Sequence, residues 1–268
     1  MIAIFDSGYG GLTVLKPIKE LLPEYDYIYF GDNARAPYGN KDSETIKTYA
    51  EESIDCLLKN GAELILFACN TVSGVALRHV QQKHEKTLKS EYRRILGLLI
   101  PVAEYIPKQK NIRVGIIGTK ATVDSKVYME EISKTNPSAK FFSKACPLLT
   151  PLIEENWHTK PEASSILKKY LLPLKSHNLD VLIIGCTHYT LMLPQIKRIM
   201  GKKVKIINPG EITAQSLKDY LKRHPELEKK LTKSGSIKFL TTKDPEEFKR
   251  FAEKYMGTKI SPPKKITI

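Results

Sequence analysis

The chain has 268 residues, 41% of them hydrophobic and 27% charged, with a formal net charge of +14. That is an ordinary globular composition, long enough for one large domain or two of typical size, and able to bury a core without disulfide or metal staples. No apolar run is long enough to cross a bilayer, and the four cysteines contain no C-x-x-C, which excludes a membrane-spanning helix and argues against a disulfide framework or a zinc site.

Ile2 to Phe5 reads as a strand with no basic leader or cleavage site before it, so a cytoplasmic protein is expected. The strand ends in Asp6-Ser7-Gly8-Tyr9-Gly10-Gly11, where glycines allow a tight turn and close approach to a ligand. A dinucleotide loop is the rival reading. It is weakened by Thr13, which stands where the last glycine of G-x-G-x-x-G belongs, and by Asp6, which would repel a pyrophosphate. A carboxylate there suits a ligand's ammonium group or the orientation of a thiol. A helix runs to about Leu22, and a strand from Asp26 to Phe30 leads into Gly31-Asp32-Asn33-Ala34-Arg35-Ala36-Pro37-Tyr38-Gly39. Turn chemistry alone explains the Asn, Pro and Gly of that loop, but its phenol, guanidinium and carboxylate favour a binding loop.

An amphipathic helix follows from about Ser43 to Leu58. Leu64-Ile65-Leu66-Phe67 is a buried strand ending in Ala68-Cys69-Asn70-Thr71, and a helix from about Val72 carries the chain into the polar stretch 81–94. The pattern restarts with apolar 95–100 and a strand at Arg113 to Gly118. Thr119, Thr122 and Ser125 load the next helix start with hydroxyls, more than an N-cap needs and suited to an anionic ligand. After a strand at Ala139 to Ala145, a short helix beginning at Pro151-Leu152-Ile153-Glu154 and a helix over 161–176, Val181-Leu182-Ile183-Ile184 forms a second buried strand. It ends in Gly185-Cys186-Thr187-His188-Tyr189. Further helices and strands follow to Met256, and the last twelve residues, without periodicity, are expected to be loosely held.

Strands alternating with helices predict right-handed βαβ units and parallel sheets. The fold class expected is α/β, with two similar α/β domains of mainly parallel sheets related by pseudo-symmetry and an active site in the cleft between them. Residues 1–94 plus 208–268 are assigned to the first domain, on the Cys69 side, and 95–207 to the second, on the Cys186 side. Each cysteine stands where a strand gives way to a helix, the edge where open α/β sheets hold ligands, which suggests two thiols facing one substrate. Cys56 and Cys146 read as small core residues.

Six motifs, in order, resemble those of the glutamate racemases of the cofactor-independent aspartate/glutamate racemase superfamily. They are Asp6-Ser7-Gly8-x-Gly10-Gly11, Asp32 to Gly39, Ala68 to Thr71, Thr119-x-x-Thr122-x-x-Ser125, Pro151 to Glu154, and Gly185 to Tyr189. The resemblance implies interconversion of L- and D-glutamate by two thiols, no cofactor and no metal, and supply of D-glutamate for peptidoglycan. It implies that Cys69 handles the α-proton of D-glutamate and Cys186 that of L-glutamate, with Asp6 and His188 assisting them. Substrate contacts carried over are Asp6, Ser7, Pro37, Tyr38, Gly39, Asn70, Thr71, Thr187 and His188, with Thr119, Thr122 and Glu154 nearby. A homodimer without membrane contact is expected. Thr190-Leu191, Val72-Ser73-Gly74 and the segment 98–104 depart from the family pattern, in places that touch packing rather than chemistry.

The chemistry of the residues agrees. Inverting an α-carbon removes a proton from one face and delivers one to the other, so two opposed groups are needed, one thiolate and one thiol. A free thiol has a pKa of about 8.5, and helix N-termini at both cysteines are expected to lower it. Three rival readings remain. An aspartate racemase would differ in substrate alone, and a thiol hydrolase would need only Cys186 with His188. A nucleic-acid-binding protein would use the positive charge, but the Lys and Arg residues are scattered without interleaved aromatics, so solvated helix faces explain them better.

Overall fold

The computed structural model describes residues 1–268. The chain opens with β1 (Ile2–Asp6), α1 (Leu12–Leu21), β2 (Tyr27–Gly31), α2 (Ser43–Lys59) and β3 (Leu64–Phe67). Three short helices follow, α3 (Asn70–Val75), α4 (Leu77–Lys83) and α5 (Glu85–Ser90), then β4 (Arg94–Gly97) and α6 (Leu99–Tyr105). Next come β5 (Arg113–Gly118), α7 (Lys120–Asp124), α8 (Val127–Thr135), β6 (Lys140–Ala145), α9 (Leu149–Glu154) and α10 (Pro161–Lys175). β7 (Val181–Gly185) passes through a 3-10 turn (Thr187–Met192) into α11 (Leu193–Met200) and β8 (Lys205–Ile207). The chain closes with α12 (Pro209–Arg223), α13 (Pro225–Glu228), β9 (Ile237–Thr241), α14 (Pro245–Met256) and β10 (Lys264–Lys265).

Every strand pairing is parallel. One sheet has the order β10-β9-β2-β1-β3-β4 and the other β6-β5-β7-β8. The segment β2-β1-β3-β4 therefore repeats as β6-β5-β7-β8, strand for strand, and each cysteine follows the third strand of its repeat. In such an order the chain leaves the first strand toward one side and places the third on the other, so the loops at their C-terminal ends splay apart and leave a crevice.

Helices cover both faces of both sheets, which is why the central strands read as unbroken apolar runs. Ile2 and Ile4 point into a core with α1, α12 and α14, whereas Ala3 and Phe5 point into one with α2 and α3. In the second sheet Leu182 and Ile184 face α10 and α11, whereas Val181 and Ile183 face α6 and α8. After β8 the chain returns: Ala214, Leu217 and Leu221 of α12 share a core with Leu12, Leu15 and Ile18 of α1.

Three expectations are corrected. Ile95 does not open a second sheet; β4 pairs with β3, and the chain leaves the first sheet only after Gly97. The apolar run 95–100 spans a strand end and the next helix start, so hydropathy could not mark the break. The helix expected from Val72 is three helices, interrupted at Ala76 and His84. The tail is held: β10 pairs with β9, the Ile266 amide donates to the Thr241 carbonyl at 2.9 Å, and Ile266 and Ile268 pack on the α2 side of the core. Two residues are too few to show a period. Deleting Lys264 to Ile268 should therefore destabilise the protein by about 1–3 kcal/mol, from the loss of two partly buried side chains. An unchanged urea midpoint would mean that the tail adds nothing.

Candidate active site

The C-terminal ends of the two sheets face one small cavity. The first contributes Ser7, Ala36, Pro37, Tyr38, Gly39, Cys69, Asn70 and Thr71, and the second Thr119, Thr150, Glu154, Cys186, Thr187 and His188. Both cysteines line it, each 6% exposed. The space open to the centre of a water molecule is ≈ 20 Å³, room for one or two waters. The sheets meet so closely that glycine is required at two contacts. A Cβ on Gly10 would lie 2.3 Å from Thr187 Oγ1 and 2.6 Å from His188 Nδ1, and one on Gly39 would lie 2.6 Å from Thr119 Cβ.

Cys69 caps α3, yet its thiol is not made acidic. Burial pushes it up to about 12, the Asp6 carboxylate adds to this, and the Ser7 hydroxyl and Val72 amide oppose it without prevailing. Desolvation of a sulfur anion outweighs one end of a six-residue helix. Ser7 Oγ lies 3.5 Å from Cys69 Sγ. Asp6 is fully buried behind the cavity, accepting from the Gly8 amide at 3.0 Å and from Thr187 Oγ1 at 3.4 Å. Burial raises its carboxyl, against His188 and the Gly11 and Gly8 amides.

Cys186 precedes a 3-10 turn rather than the α-helix expected, with His188 one step along it. His188 Nδ1 lies 3.9 Å from Cys186 Sγ, and its Nε2 lies 3.1 Å from Glu154 Oε1 at an angle too bent for a good hydrogen bond. Burial disfavours the imidazolium, but Cys186 and Glu154 overcome this and lift His188 well above the usual histidine range. A histidine held in its protonated form therefore stands beside the second sulfur, able to give a proton to the thiolate and, once neutral, to take one from the thiol.

The polar walls join the two sheets. Thr71 Oγ1 lies 2.8 Å from Thr119 Oγ1 and 3.2 Å from Thr122 Oγ1, a triangle in which Thr119 faces the cavity and Thr122 backs it. Tyr128 Oη of α8 donates to Asn70 Oδ1 at 2.5 Å, leaving the buried Asn70 Nδ2 without a partner. Of the site residues expected from sequence, Asp6 and Thr122 alone stand behind the cavity wall.

The Asp32 to Gly39 loop is a binding loop of a different kind from that expected. Asp32 is fully buried and accepts from Tyr38 Oη, from Arg35 Nε at 2.5 Å and from Thr242 Oγ1 at 2.7 Å. Arg35 also pairs with Glu52 and stacks on the Tyr49 ring at 3.9 Å. The charged groups thus build the loop, and the Tyr38 hydroxyl is engaged by Asp32. Ala36 and Thr150 were missed. Thr150 lies four residues before Glu154, a helical spacing that marks a shared face, but the α9 helix starts two residues earlier than read. No three His, Cys, Asp or Glu side chains converge to hold a metal ion.

The raised His188 predicts its own pH behaviour. Its charge stabilises the fold fully below the ordinary histidine pKa of about 6.5, and that contribution is lost as pH rises through the higher folded value. Imidazole NMR should find His188 titrating above 6.5, and Glu154→Gln should bring it down. A value at or below the ordinary one in the unsubstituted protein would refute the ion-pair geometry.

A family model described as Asp/Glu/Hydantoin racemase matches residues 12–217. Glutamate racemase 2 of Caldanaerobacter subterraneus subsp. tengcongensis is 40% identical over 260 residues, 97% of this chain and 94% of the relative. Among solved structures, glutamate racemase isoform RacE1 from Bacillus anthracis superposes with a TM-score of 0.90 at 31% identity, covering 100% of this chain and 97% of the other. The Francisella tularensis glutamate racemase in complex with D-glutamate gives 0.88 at 31%, covering 99% and 97%. With the family model matched over most of its length and both sheets superposing on these enzymes, this chain belongs to the Asp/Glu/hydantoin racemase family and is an amino-acid racemase.

Proposed function

We propose that the protein interconverts L- and D-glutamate by a two-thiol mechanism without a cofactor, and that it supplies D-glutamate for peptidoglycan. The observation that carries the reading is the pair of buried sulfurs, one from each repeat, on a single cavity. The substrate is carried over from the related glutamate racemases.

Cys69, raised by burial, is a thiol at neutral pH and can deliver a proton. Cys186, beside the imidazolium of His188, is the partner that accepts one. In the L-to-D direction Cys186 removes the α-proton, and Cys69 then protonates the opposite face of the planar carbanion. In the reverse direction the roles exchange, with Asp6 and His188 as the second proton carriers. With no Schiff base to take up charge, the developing carboxylate-stabilised carbanion depends on placed donors. Asn70 Nδ2 and the hydroxyls of Thr71, Thr119 and Thr187 line the wall for that purpose. Low water content strengthens each of these interactions.

A space for one or two waters does not admit an amino acid, so the two repeats, taken as two domains, would part to let substrate in and close to exclude water. Circular dichroism of L- and D-glutamate, with L- and D-aspartate in parallel and no added cofactor, tests the activity. Cys69→Ser and Cys186→Ser should each lower racemisation by about 100- to 10,000-fold, the usual range for a lost acid or base, while glutamate binding persists. Near wild-type racemisation in either variant would eliminate the two-thiol mechanism, and turnover of aspartate alone would reassign the substrate.

A further inference from the structure

Thr150 belongs to none of the motifs that carry the family resemblance, yet its Oγ1 lies 3.8 Å from Cys186 Sγ. It stands in the first turn of α9, 6% exposed, on the cavity wall. Glu154 is one helical turn further on, so one face of α9 presents a hydroxyl to Cys186 and a carboxylate to His188. The arrangement parallels the other repeat, where Ser7 Oγ stands 3.5 Å from Cys69 Sγ. Each thiol thus has one hydroxyl neighbour, and the two come from unrelated positions in the sequence.

A hydroxyl is both donor and acceptor, so it can follow a sulfur through both of its protonation states. Tyr189, the other hydroxyl close to Thr150, gives its proton to the Cys146 carbonyl at 2.7 Å and so has none to offer. The Tyr189 oxygen can therefore only accept from Thr150, and the Thr150 proton has two acceptors within reach, that phenol and the Cys186 sulfur, of which a negatively charged sulfur is the stronger. We infer that Thr150 is a positioning residue for Cys186: its O–H donates to the thiolate, its lone pair accepts from the thiol, and the sulfur keeps its direction toward the cavity in both states. The inference rests on the two-thiol reading above.

The other titratable groups around the sulfur are His188 and Tyr189 on its own turn, Tyr128 of α8, Cys146 before α9, and Cys69 across the cavity, with Glu154 behind His188. Thr150 does not titrate. Its removal therefore changes the balance between thiol and thiolate without adding or removing a charge.

The test is the pH profile of kcat/KM for L-glutamate in wild type, Thr150→Val, Thr150→Ser and Cys186→Ser. Valine matches threonine in shape, so the fold should persist, as thermal denaturation would verify. In Thr150→Val, kcat/KM near neutrality should fall about tenfold, the value of one hydrogen bond to a charged group, and the acid limb should move up by about half a unit to one unit. Thr150→Ser should restore both to within about threefold of wild type, by the same hydrogen bond. An unmoved limb in Thr150→Val, or an equal loss in Thr150→Ser, would overturn the inference and leave Thr150 as packing. Racemisation surviving in Cys186→Ser would instead remove the two-thiol reading itself, and the inference with it.

Discussion

In a cavity with room for one or two waters, burial raises the energy of a negative charge on the Cys69 sulfur. The Asp6 carboxylate acts in the same direction, as would a charge on Cys186, and the hydroxyl of Ser7 and the amide at the start of α3 do not reverse it. Two like sulfurs in one dry space thus have unlike surroundings. The second sulfur has what the first lacks, an imidazolium at 3.9 Å held by a carboxylate on the neighbouring helix.

That asymmetry is built on a symmetric frame. The order β2-β1-β3-β4 recurs as β6-β5-β7-β8, and in each repeat the cysteine follows the third strand while the first strand's loop supplies a hydroxyl to the cavity, Ser7 in one and Thr119 in the other. The repeats meet through short contacts: Gly10 against Thr187 and His188, Gly39 against Thr119, Tyr128 on Asn70, and the triangle of Thr71, Thr119 and Thr122. Because these contacts are also cavity walls, any parting of the repeats dismantles the site and any closure rebuilds it.

The loop after β2 shows how buried charge shapes a site without entering it. Asp32, at zero exposure, gathers Tyr38, Arg35 and Thr242, and Arg35 extends the network to Glu52 and the face of Tyr49. A buried carboxylate so fully bonded fixes the course of the backbone through Pro37 and Gly39, which the cavity uses as wall. Asp32 and Arg35, which in sequence looked like ligand-binding groups, are the loop's own scaffold, while Tyr38 is bonded to that scaffold and also lines the cavity.

Much of this was legible in the chain. The unbroken apolar runs ending at Cys69 and Cys186, short and bounded by turn signals, read as strands covered on both faces, so local pattern determined the α/β class and the repeated corner, while most of the cavity's lining was named through the resemblance to the glutamate racemases. Other features depend on what lies near in space rather than in sequence. The pairing of Ile95 with the first sheet and the seating of Ile266 on the core come from strands far apart along the chain. The phenol of Tyr38 turns to a carboxylate, and Thr150 reaches a sulfur 36 residues away. The level of the Cys69 thiol was read the wrong way, because a helix terminus can be seen in sequence and desolvation cannot. Periodicity records which face of an element is apolar; which partner covers that face, and how little water remains there, only the tertiary structure decided.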